Sequence, residues 1–213
     1  MSDDTDAGTV PSEQLEQGSD AWLKFRCGKF SASTVHPLLA TRGEGKGRTT
    51  LIRTLVAERL SGIPQGFEGN EDTEFGHQEE PFARRQFQLE NGIFLEPVGS
   101  IAHPAMPFLV ASPDGIFPNE YGSEFKSHRK AVKFLEMIEG EIPRAHKIQC
   151  QVGMACSGLP LWAYSNWCPQ MPEGKRLHTR WIKRDEALIA EIVVEVRKAE
   201  TEVTAKVAEY LNR

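Results

Sequence analysis

The 213-residue chain lacks the features that mark several common classes of protein. No apolar run approaches the roughly 18 residues that a membrane-spanning helix requires. The first 20 residues carry acids but no lysine or arginine, which is the reverse of a secretory signal. The four cysteines form no CxxC pair, so reduced thiols are expected. Together these absences predict a cytoplasmic protein that does not bind membranes.

The chain also lacks an excess of positive charge. Its 25 lysines and arginines are outnumbered by 30 aspartates and glutamates, which gives a net charge of −5. This balance argues against a surface coated in basic residues for nonspecific binding of nucleic acid. It leaves room for a local basic groove, because the distribution of charge matters more than its sum.

The composition is otherwise that of a globular protein, with 39% hydrophobic and 26% charged residues. Residues 1–15 are acidic and nearly free of large apolar side chains, which predicts a disordered N-terminal tail. The remaining length suits one domain of ordinary size. Residues 16–213 are therefore predicted to form a single domain.

Helix signals dominate the first part of this domain. The run from Ala21 predicts a helix that breaks at Gly28 and is followed by a short helix capped by Ser31 or Ser33. Residues 41–48 combine three glycines with basic side chains and predict a loop. Two further helices are expected, one that begins at Thr49 or Thr50 and ends at Gly62, and one over residues 79–90 with Pro81 in its first turn and Phe82, Ala83 and Phe87 facing inward.

The middle of the chain changes to short segments rich in aromatic and β-branched residues, which favour strands. A long amphipathic helix closes the chain from about residue 188 onward. The pattern predicts an α/β fold with a central mixed β-sheet flanked by helices. The predicted strands lie at residues 93–101, 107–112, 122–127, 161–167 and 177–183, and two predicted helices lie between them at 131–139 and 143–156.

A small set of charged residues carries the clearest chemical signal. Asp114 ends one predicted strand, while Glu124 and Lys126 lie two residues apart on the next, so that their side chains share one face. Two carboxylates held together repel each other unless a cation lies between them, and Mg²⁺ prefers such oxygen ligands. The backbone carbonyl of Phe125 could complete the ligand set. Lys126 would then orient a water and stabilise negative charge on a phosphate.

The same residues also allow a purely structural interpretation. Asp114 lies in a Pro-Asp-Gly sequence, which commonly forms a turn. Glu124 and Lys126 could be a solvated strand face, since exposed ion pairs of this kind are common and weak. The rest of the chain has to decide between the two interpretations.

Four ordered blocks favour the functional interpretation, and they run through residues 16–183 as EQGSDAWLKFRCGKFSAS, FGHQEEP, SPDG with SEFKS, and HKIQCQ. Through these blocks the chain resembles the phage lambda exonuclease group, also called YqaJ-like viral recombinases, within the restriction-endonuclease-like PD-(D/E)xK nucleases. The resemblance implies a restriction-endonuclease-like core. It also implies a Mg²⁺-dependent exonuclease, with Mn²⁺ as a possible substitute, that digests linear duplex DNA from 5′ ends. The 3′ single-stranded overhangs would serve phage-type recombination by strand annealing.

The resemblance assigns catalytic and metal-binding roles to individual residues. Asp114 and Glu124 correspond to the family's metal-binding carboxylates, with the Phe125 carbonyl as a further ligand. Lys126 corresponds to the catalytic lysine. Glu80, in the block FGHQEEP, corresponds to a helical acid that faces the same metal site.

Further assignments concern DNA and a glutamine. Arg26 and Ser33 match positions that hold the 5′-phosphate of a DNA end, and a guanidinium with a hydroxyl near a helix start suits that group. Arg42, in the glycine-rich basic loop, is the nearest match to an arginine that contacts the DNA backbone. Gln149 corresponds to an active-site glutamine, and only the surrounding pattern selects it over Gln151.

The resemblance further implies an assembly and a source. It implies a homotrimeric ring that encircles duplex DNA, and a single-strand annealing protein as partner. A phage or prophage origin in a bacterial host would follow. An acidic surface is compatible with such a ring, because its basic residues can be confined to the channel.

Three alternatives remain at the level of the sequence. Cys27 followed by Cys150, Cys156 and Cys168 reproduces the order of cysteines in iron–sulfur nucleases, although the spacing is unlike a tight cluster-binding run. An endonuclease of the same fold would use the same acidic and lysine residues. A DNA-end binding scaffold without catalysis is the alternative from outside the enzymes.

Overall fold

The computed structural model of the chain describes residues 12–39, 45–65 and 71–213. Within these ranges, no helix is long and apolar enough to cross a membrane. The helices are α1 (Asp20–Arg26), α2 (Lys46–Ser61), α3 (Glu71–Asn91), α4 (Ala131–Glu139), α5 (Arg144–Ser157) and α6 (Glu186–Leu211), with 3-10 turns at Ser12–Gln14 and His36–Leu39. The strands are β1 (Phe30–Ser31), β2 (Ile101–His103), β3 (Met106–Ala111), β4 (Gly115–Phe117), β5 (Tyr121–Ser127), β6 (Leu161–Trp167) and β7 (Leu177–Lys183).

The strands form two mixed sheets flanked by helices, which confirms the predicted α/β class. In the first sheet, of order β1-β3-β2, β1 runs parallel to β3 and β2 runs antiparallel to it. In the second, of order β4-β5-β6-β7, the central pair β5 and β6 is parallel and both outer pairs are antiparallel. The single predicted sheet is thus divided between β3 and β4, where Pro113 lies. Proline has no backbone N–H to continue a ladder, which accounts for the break.

The helix α5 joins the two sheets into one core. Ile148, Val152 and Cys156 on α5 are buried in the cluster that contains Leu109 of β3. The apolar spacing predicted for the C-terminal helix is confirmed in the same cluster, which contains Ile192, Val196, Ala199 and Val203 of α6.

One bulky side chain sets how closely α5 approaches the second sheet. Trp162 of β6 is 2% exposed. A Cβ added at Gly122 of β5 or at Gly153 of α5 would lie 2.4 Å from an atom of its indole ring. Both positions therefore need glycine for lack of space. This close packing holds α5 over the strand that carries Glu124 and Lys126.

The helix α3 covers the opposite face of β5 and differs from its prediction. It begins at Glu71, so Pro81 lies in its interior and not in its first turn. Ala83 and Phe87 are fully buried against β5, as expected, but Phe82 is 59% exposed. Residues four apart share a helix face, and Phe82 lies off the face that Ala83 and Phe87 define.

The segment after α1 also differs from its prediction. Phe30–Ser31 form a strand that was not predicted and that pairs in parallel with Leu109 and Val110, while the predicted short helix follows as the 3-10 turn His36–Leu39. Phe30 is fully buried in the strand, so long-range pairing adds an element that the local signal does not indicate.

Two further local predictions are corrected. Lys46–Ser61 form α2, so the predicted loop does not extend to residue 48 and the predicted caps Thr49 and Thr50 lie inside the helix. The stop at Gly62 is confirmed. The predicted strand over residues 93–101 is reduced to one bridge at Glu96 and to Ile101, the first residue of β2.

Ordered structure begins before the predicted boundary at residue 16. Ser12–Gln14 form a 3-10 turn, and the carbonyls of Ser12 and Glu13 accept hydrogen bonds from Ser100 N (2.9 Å) and Gly99 N (2.8 Å). A Cβ at Gly99 would lie 2.2 Å from the carbonyl oxygen of Leu15, so this contact needs glycine. Residues 1–11 lie outside the described ranges, and the single domain stays a prediction.

Candidate active site

The strand β5 brings the predicted catalytic lysine against a carboxylate. Alternation along the strand places Glu124 and Lys126 on one face, and Lys126 Nζ donates to Glu124 Oε1 at 2.6 Å. Burial lowers the pKa of Lys126, but the charge and hydrogen bond of Glu124, and the charge of Asp114, raise that pKa above its ordinary value overall. Lys126 is therefore a partly buried cation at neutral pH, with a side chain that is 26% exposed, and it is held by a carboxylate that is only 6% exposed.

Asp114 lies between β3 and β4 and is hydrogen-bonded to β5. Its Oδ2 accepts a hydrogen bond from Phe125 N at 2.6 Å, and its own N–H donates to Ser123 O at 3.0 Å. The carboxyl therefore binds the neighbouring strand and is not a solvated turn cap. Burial, followed by the negative charges of Glu124 and Glu80, raises the pKa of Asp114 well above its usual range.

Glu80 reaches the same region from α3. It is paired with Arg84 one turn further along the helix. Burial raises the pKa of Glu80, Arg84 opposes this shift, and the charge of Glu124 adds to it. Three carboxylates from separate segments, Glu80, Asp114 and Glu124, therefore interact electrostatically in one place.

The helix α5 settles which glutamine faces this cluster. Gln149 Oε1 accepts from Lys126 Nζ at 3.2 Å. Gln151 is buried on another face, where its amide donates to Lys183 O at 2.8 Å and accepts from Asp185 N at 2.9 Å. Gln149 thus lies where an active-site glutamine would act, and Gln151 anchors the turn before α6.

Arg26 and Ser33, predicted to hold a terminal phosphate, line one cavity of about 190 Å³ together with Lys29 and Ser31. The Arg26 guanidinium lies over the Trp22 ring, 4.3 Å from its centroid. Ser33 Oγ lies 3.2 Å from Ser31 Oγ. Two cations and several hydroxyls around a small cavity suit an anionic group.

Two residues of this region, Ser112 and Glu58, were not predicted from the sequence. Arg26 Nη1 donates to Ser112 Oγ at 2.8 Å, and Ser112 lies two residues before Asp114. Its position between the end of β3 and Asp114 was the available signal. Glu58 also lines the cavity and accepts from Gly28 N at 2.7 Å and Gln65 N at 2.8 Å. Burial lowers the pKa of Arg26 to about 10, and the charge of Glu58 opposes that shift.

Comparisons with known proteins show the family of the chain. Residues 21–160 match the YqaJ-like viral recombinase domain family. The chain belongs to the YqaJ-like viral recombinase family. This membership confirms the resemblance inferred from the four sequence blocks. No curated protein matches the chain.

Three solved structures of exonucleases share the fold of this chain. An alkaline exonuclease, LHK-Exo from Laribacter hongkongensis, is 31% identical with a TM-score of 0.83, over 92% of this chain and 97% of that one. A second structure, LHK-Exo in complex with dAMP, is 30% identical with a TM-score of 0.84 over the same shares. A phage-related exonuclease from Haemophilus somnus 129PT has a TM-score of 0.70 at 18% identity, over 85% of this chain and 96% of that one, which supports the fold alone.

The donor atoms in the cluster suit a hard divalent cation. Carboxylate oxygens are the ligands that Mg²⁺ prefers, and burial, with a further contribution from the charge of Glu124, raises the pKa values of Asp114 and Glu80. In the arrangement described, Lys126 and Arg84 supply positive charge to Glu124 and Glu80. The types of donor atom therefore suit the metal that the family implies.

Within residues 12–39, 45–65 and 71–213, however, no group of three or more His, Cys, Asp or Glu side chains is arranged to hold a metal ion. The same observation leaves no iron–sulfur site among the described residues, because Cys156 packs in the cluster with Leu109 while Cys150 packs with Trp162. The Phe125 carbonyl as a ligand stays a prediction. Arg42 lies outside the described residues.

Proposed function

We propose that the chain is a divalent-metal-dependent exonuclease that digests linear double-stranded DNA from 5′ ends and leaves 3′ single-stranded overhangs. The observation that carries the proposal is the convergence on Lys126 of Glu124 at 2.6 Å and Gln149 at 3.2 Å, with the charge of Asp114 close enough to act on Lys126. Family membership and the likeness over nearly the whole chain to an alkaline exonuclease support it. That neighbour's complex with dAMP, a deoxynucleoside monophosphate, is of the product class that an exonuclease releases.

The proposed role of each residue follows from its position in the cluster. Asp114, Glu124 and the Phe125 carbonyl would hold Mg²⁺, with Glu80 in support, and Mn²⁺ has the same preference for oxygen ligands. The bound metal would polarise the phosphate and lower the pKa of an attacking water.

Lys126 acts in this scheme as a fixed cation. Its raised pKa keeps it protonated, so its proposed role is to stabilise the negative charge that develops on the phosphate and to orient the water. Gln149 would hold the ammonium group in position through the contact at 3.2 Å. Preorganisation of this kind lowers the barrier because no reorganisation is needed during the reaction.

The second half of the proposal concerns the DNA end. Arg26 and Ser33 would bind the terminal 5′-phosphate in the cavity of about 190 Å³. The link from Arg26 to Ser112 at 2.8 Å ties this cavity to the strand that leads to Asp114. Binding of the end would thereby set the distance from the terminus to the bond that is cut.

The family also supports a proposal on assembly. The chain would form a homotrimeric ring around duplex DNA and would act with a single-strand annealing protein in phage-type recombination in a bacterial host. Sedimentation analysis of the purified protein tests the ring, since a mass other than three chains contradicts it. Co-purification with an annealing protein encoded beside it tests the partner.

The activity is tested with four substrates in Mg²⁺: a linear duplex with 5′-phosphate ends, the same duplex with 5′-hydroxyl ends, its covalently closed circle and a single strand. We expect rapid loss of the phosphorylated linear duplex, with an intact circle. Lys126→Ala should abolish the loss. Lys198→Ala removes an equally charged but exposed side chain of α6 and should digest normally.

The other outcomes separate the remaining alternatives. Cleavage of the closed circle would be consistent with the proposed catalytic cluster, which consists of Glu80, Asp114, Glu124 and Lys126, but would identify an endonuclease. Binding of duplex ends without cleavage in Mg²⁺ or Mn²⁺ would identify a scaffold. Equal digestion of phosphorylated and hydroxyl ends would remove the proposed role of Arg26 and Ser33.

A further inference from the structure

A groove of about 900 Å³ lies at the C-terminal ends of β5 and β6. These two strands form the parallel pair of the second sheet. Ligands in α/β proteins commonly bind in the crevice outside the carboxyl ends of parallel strands. Because β5 ends at Ser127, directly after Lys126, the groove begins where the catalytic cluster ends. None of the roles assigned above uses it.

The groove is lined mainly by positive charge. Among the described residues that line it, Arg129, Lys130 and Lys133 are basic and only Asp72 is acidic. The segment KSHRKAVK, residues 126–133, contains four lysines and arginines and no acid, in a chain with a net charge of −5. Positive charge is therefore concentrated at this end of the sheet.

These cations are accessible to a ligand. The side chains of Arg129 and Lys133 are 48% and 60% exposed. Arg129 pairs with Glu71 at 2.7 Å and Lys133 with Glu136 at 3.1 Å. Exposed pairs of this kind contribute little to stability, so a polyanion can compete for both cations. Lys130 has no ion-pair or hydrogen-bond partner for its side chain among the described residues.

The backbone adds to the positive field. The nine-residue helix α4 begins at Ala131, and its N-cap Lys130 makes no side-chain capping hydrogen bond. Ala131 N donates to Gln170 Oε1 at 3.1 Å, and Gln170 also lines the groove. The positive end of the helix dipole thus lies at the groove beside the lysines.

His128 connects the groove to the catalytic cluster. Its Nε2 lies 2.8 Å from Asn166 Oδ1, and Asn166 is the cross-strand partner of Lys126. Burial lowers the pKa of His128, and the charges of Lys133 and Lys126 lower it further. Groove and cluster therefore lie within electrostatic reach of the same side chain.

We propose that this groove binds the sugar–phosphate backbone of the DNA next to the phosphate that is cut, through Arg129, Lys130 and Lys133. The proposal rests on the proposed function. Lysine and arginine on an exposed surface contact phosphates and carry little base specificity. Each phosphate neutralised releases counterions, so the contacts set the salt dependence of binding.

The test uses a Lys126→Met parent, which is designed to bind DNA without cutting it. The affinity for a 5′-phosphorylated duplex is measured by fluorescence anisotropy over a series of salt concentrations. Adding Lys130→Gln and Lys133→Gln should weaken binding by roughly tenfold or more and lower the slope of log K against log salt by about 2, or roughly 0.9 for each lost contact. Lys130→Arg with Lys133→Arg should restore both values.

The matched control removes the same charge from α6 through Lys198→Gln and Lys206→Gln, whose side chains are 63% and 46% exposed. It should bind as the parent does. Unchanged affinity and slope in the groove variant overturn the proposal and leave the groove to another ligand, such as an acidic protein. An equal loss in the control also overturns it, because overall charge would then explain the effect. A parent that does not bind duplex DNA contradicts the proposed function itself.

Discussion

The cluster of Glu80, Asp114, Glu124 and Lys126 and the cavity lined by Arg26 and Ser33 are built in opposite ways. In the cluster, Glu124 is buried, and burial together with the charges of Glu124 and Glu80 raises the pKa of Asp114. In the cavity, the partly buried guanidinium of Arg26 lies within electrostatic reach of the oppositely charged Glu58. The carboxylates of the cluster therefore repel one another, and a bound cation would relieve that repulsion, while in the cavity Arg26 and Lys29 face the carboxylate of Glu58. Changes in the two regions should affect stability with opposite signs.

The largest effect is expected for Asp114→Asn. Activity should fall by roughly 10²–10³-fold, the loss typical when one preorganised electrostatic partner is removed. In the presence of a chelator the free energy of unfolding should rise, because the repulsion with Glu124 and Glu80 is gone while the contact to Phe125 N can persist.

The pH dependence of stability is a second measurement that tests the Asp114→Asn substitution. The folded pKa of Asp114 lies above its ordinary value of 3.8, so between these two pKa values the folded state binds more protons than the unfolded state. The free energy of unfolding of the unsubstituted protein should fall as pH rises through that window, and that of Asp114→Asn should fall less. Chemical denaturation of the metal-free proteins measures both, and a less stable variant would contradict the account of repulsion.

Two glutamines on α5 provide the next test. Gln149→Ala should lower activity by roughly 10- to 100-fold, since a hydrogen bond to a charged group is lost, with little change in stability. Gln151→Ala should lower the free energy of unfolding by about 1–3 kcal/mol, because it leaves Lys183 O and Asp185 N without a partner. Activity per folded molecule should be retained. The reverse assignment of effects would show that Gln151 is the active-site residue.

In the cavity, substitution should change the choice of substrate and not the chemical step. Arg26→Gln should reduce digestion of phosphorylated ends by roughly 10-fold or more and leave hydroxyl ends nearly unchanged. It should also destabilise the protein, since the electrostatic attraction between Arg26 and Glu58 is lost and Ser112 Oγ loses one of its hydrogen-bond donors. Ser33→Ala should show a smaller effect in the same direction. Equal loss on both kinds of end would place Arg26 in the catalytic step instead.

The smallest effect is expected on the helix that supports the cluster. His146 Nδ1 lies 2.7 Å from the hydroxyl of Tyr164, and burial, with the charge of Lys126, lowers the pKa of His146 to about 4. Between pH 4 and the ordinary value of 6.5 the unfolded state binds more protons, so stability should fall as pH drops through this window. His146→Gln should weaken that dependence. His178→Gln, at an exposed position on β7, should weaken it less when both are measured by thermal unfolding.

The hydrophobic periodicity of a segment predicted its secondary structure correctly where the same residues also form the buried face in the folded protein. The helix over residues 131–139 and the strands at 161–167 and 177–183 fall within the predicted bounds. The strand Phe30–Ser31 escaped prediction because it is only two residues long and exists through pairing with β3. Pro81 misled the prediction for α3, since the helix extends through the proline to Glu71.

By itself, the sequence determined that Glu124 and Lys126 share a face, because a strand has a strict period of two. Tertiary structure alone decided that Gln149 and not Gln151 meets Lys126, that Ser112 and Glu58 join the cavity of Arg26, and that Arg129, Lys130 and Lys133 line one groove. The reason is physical. Periodicity orients side chains within one element, whereas their distances to other elements depend on how the helices pack on the sheet and on the space left for Trp162.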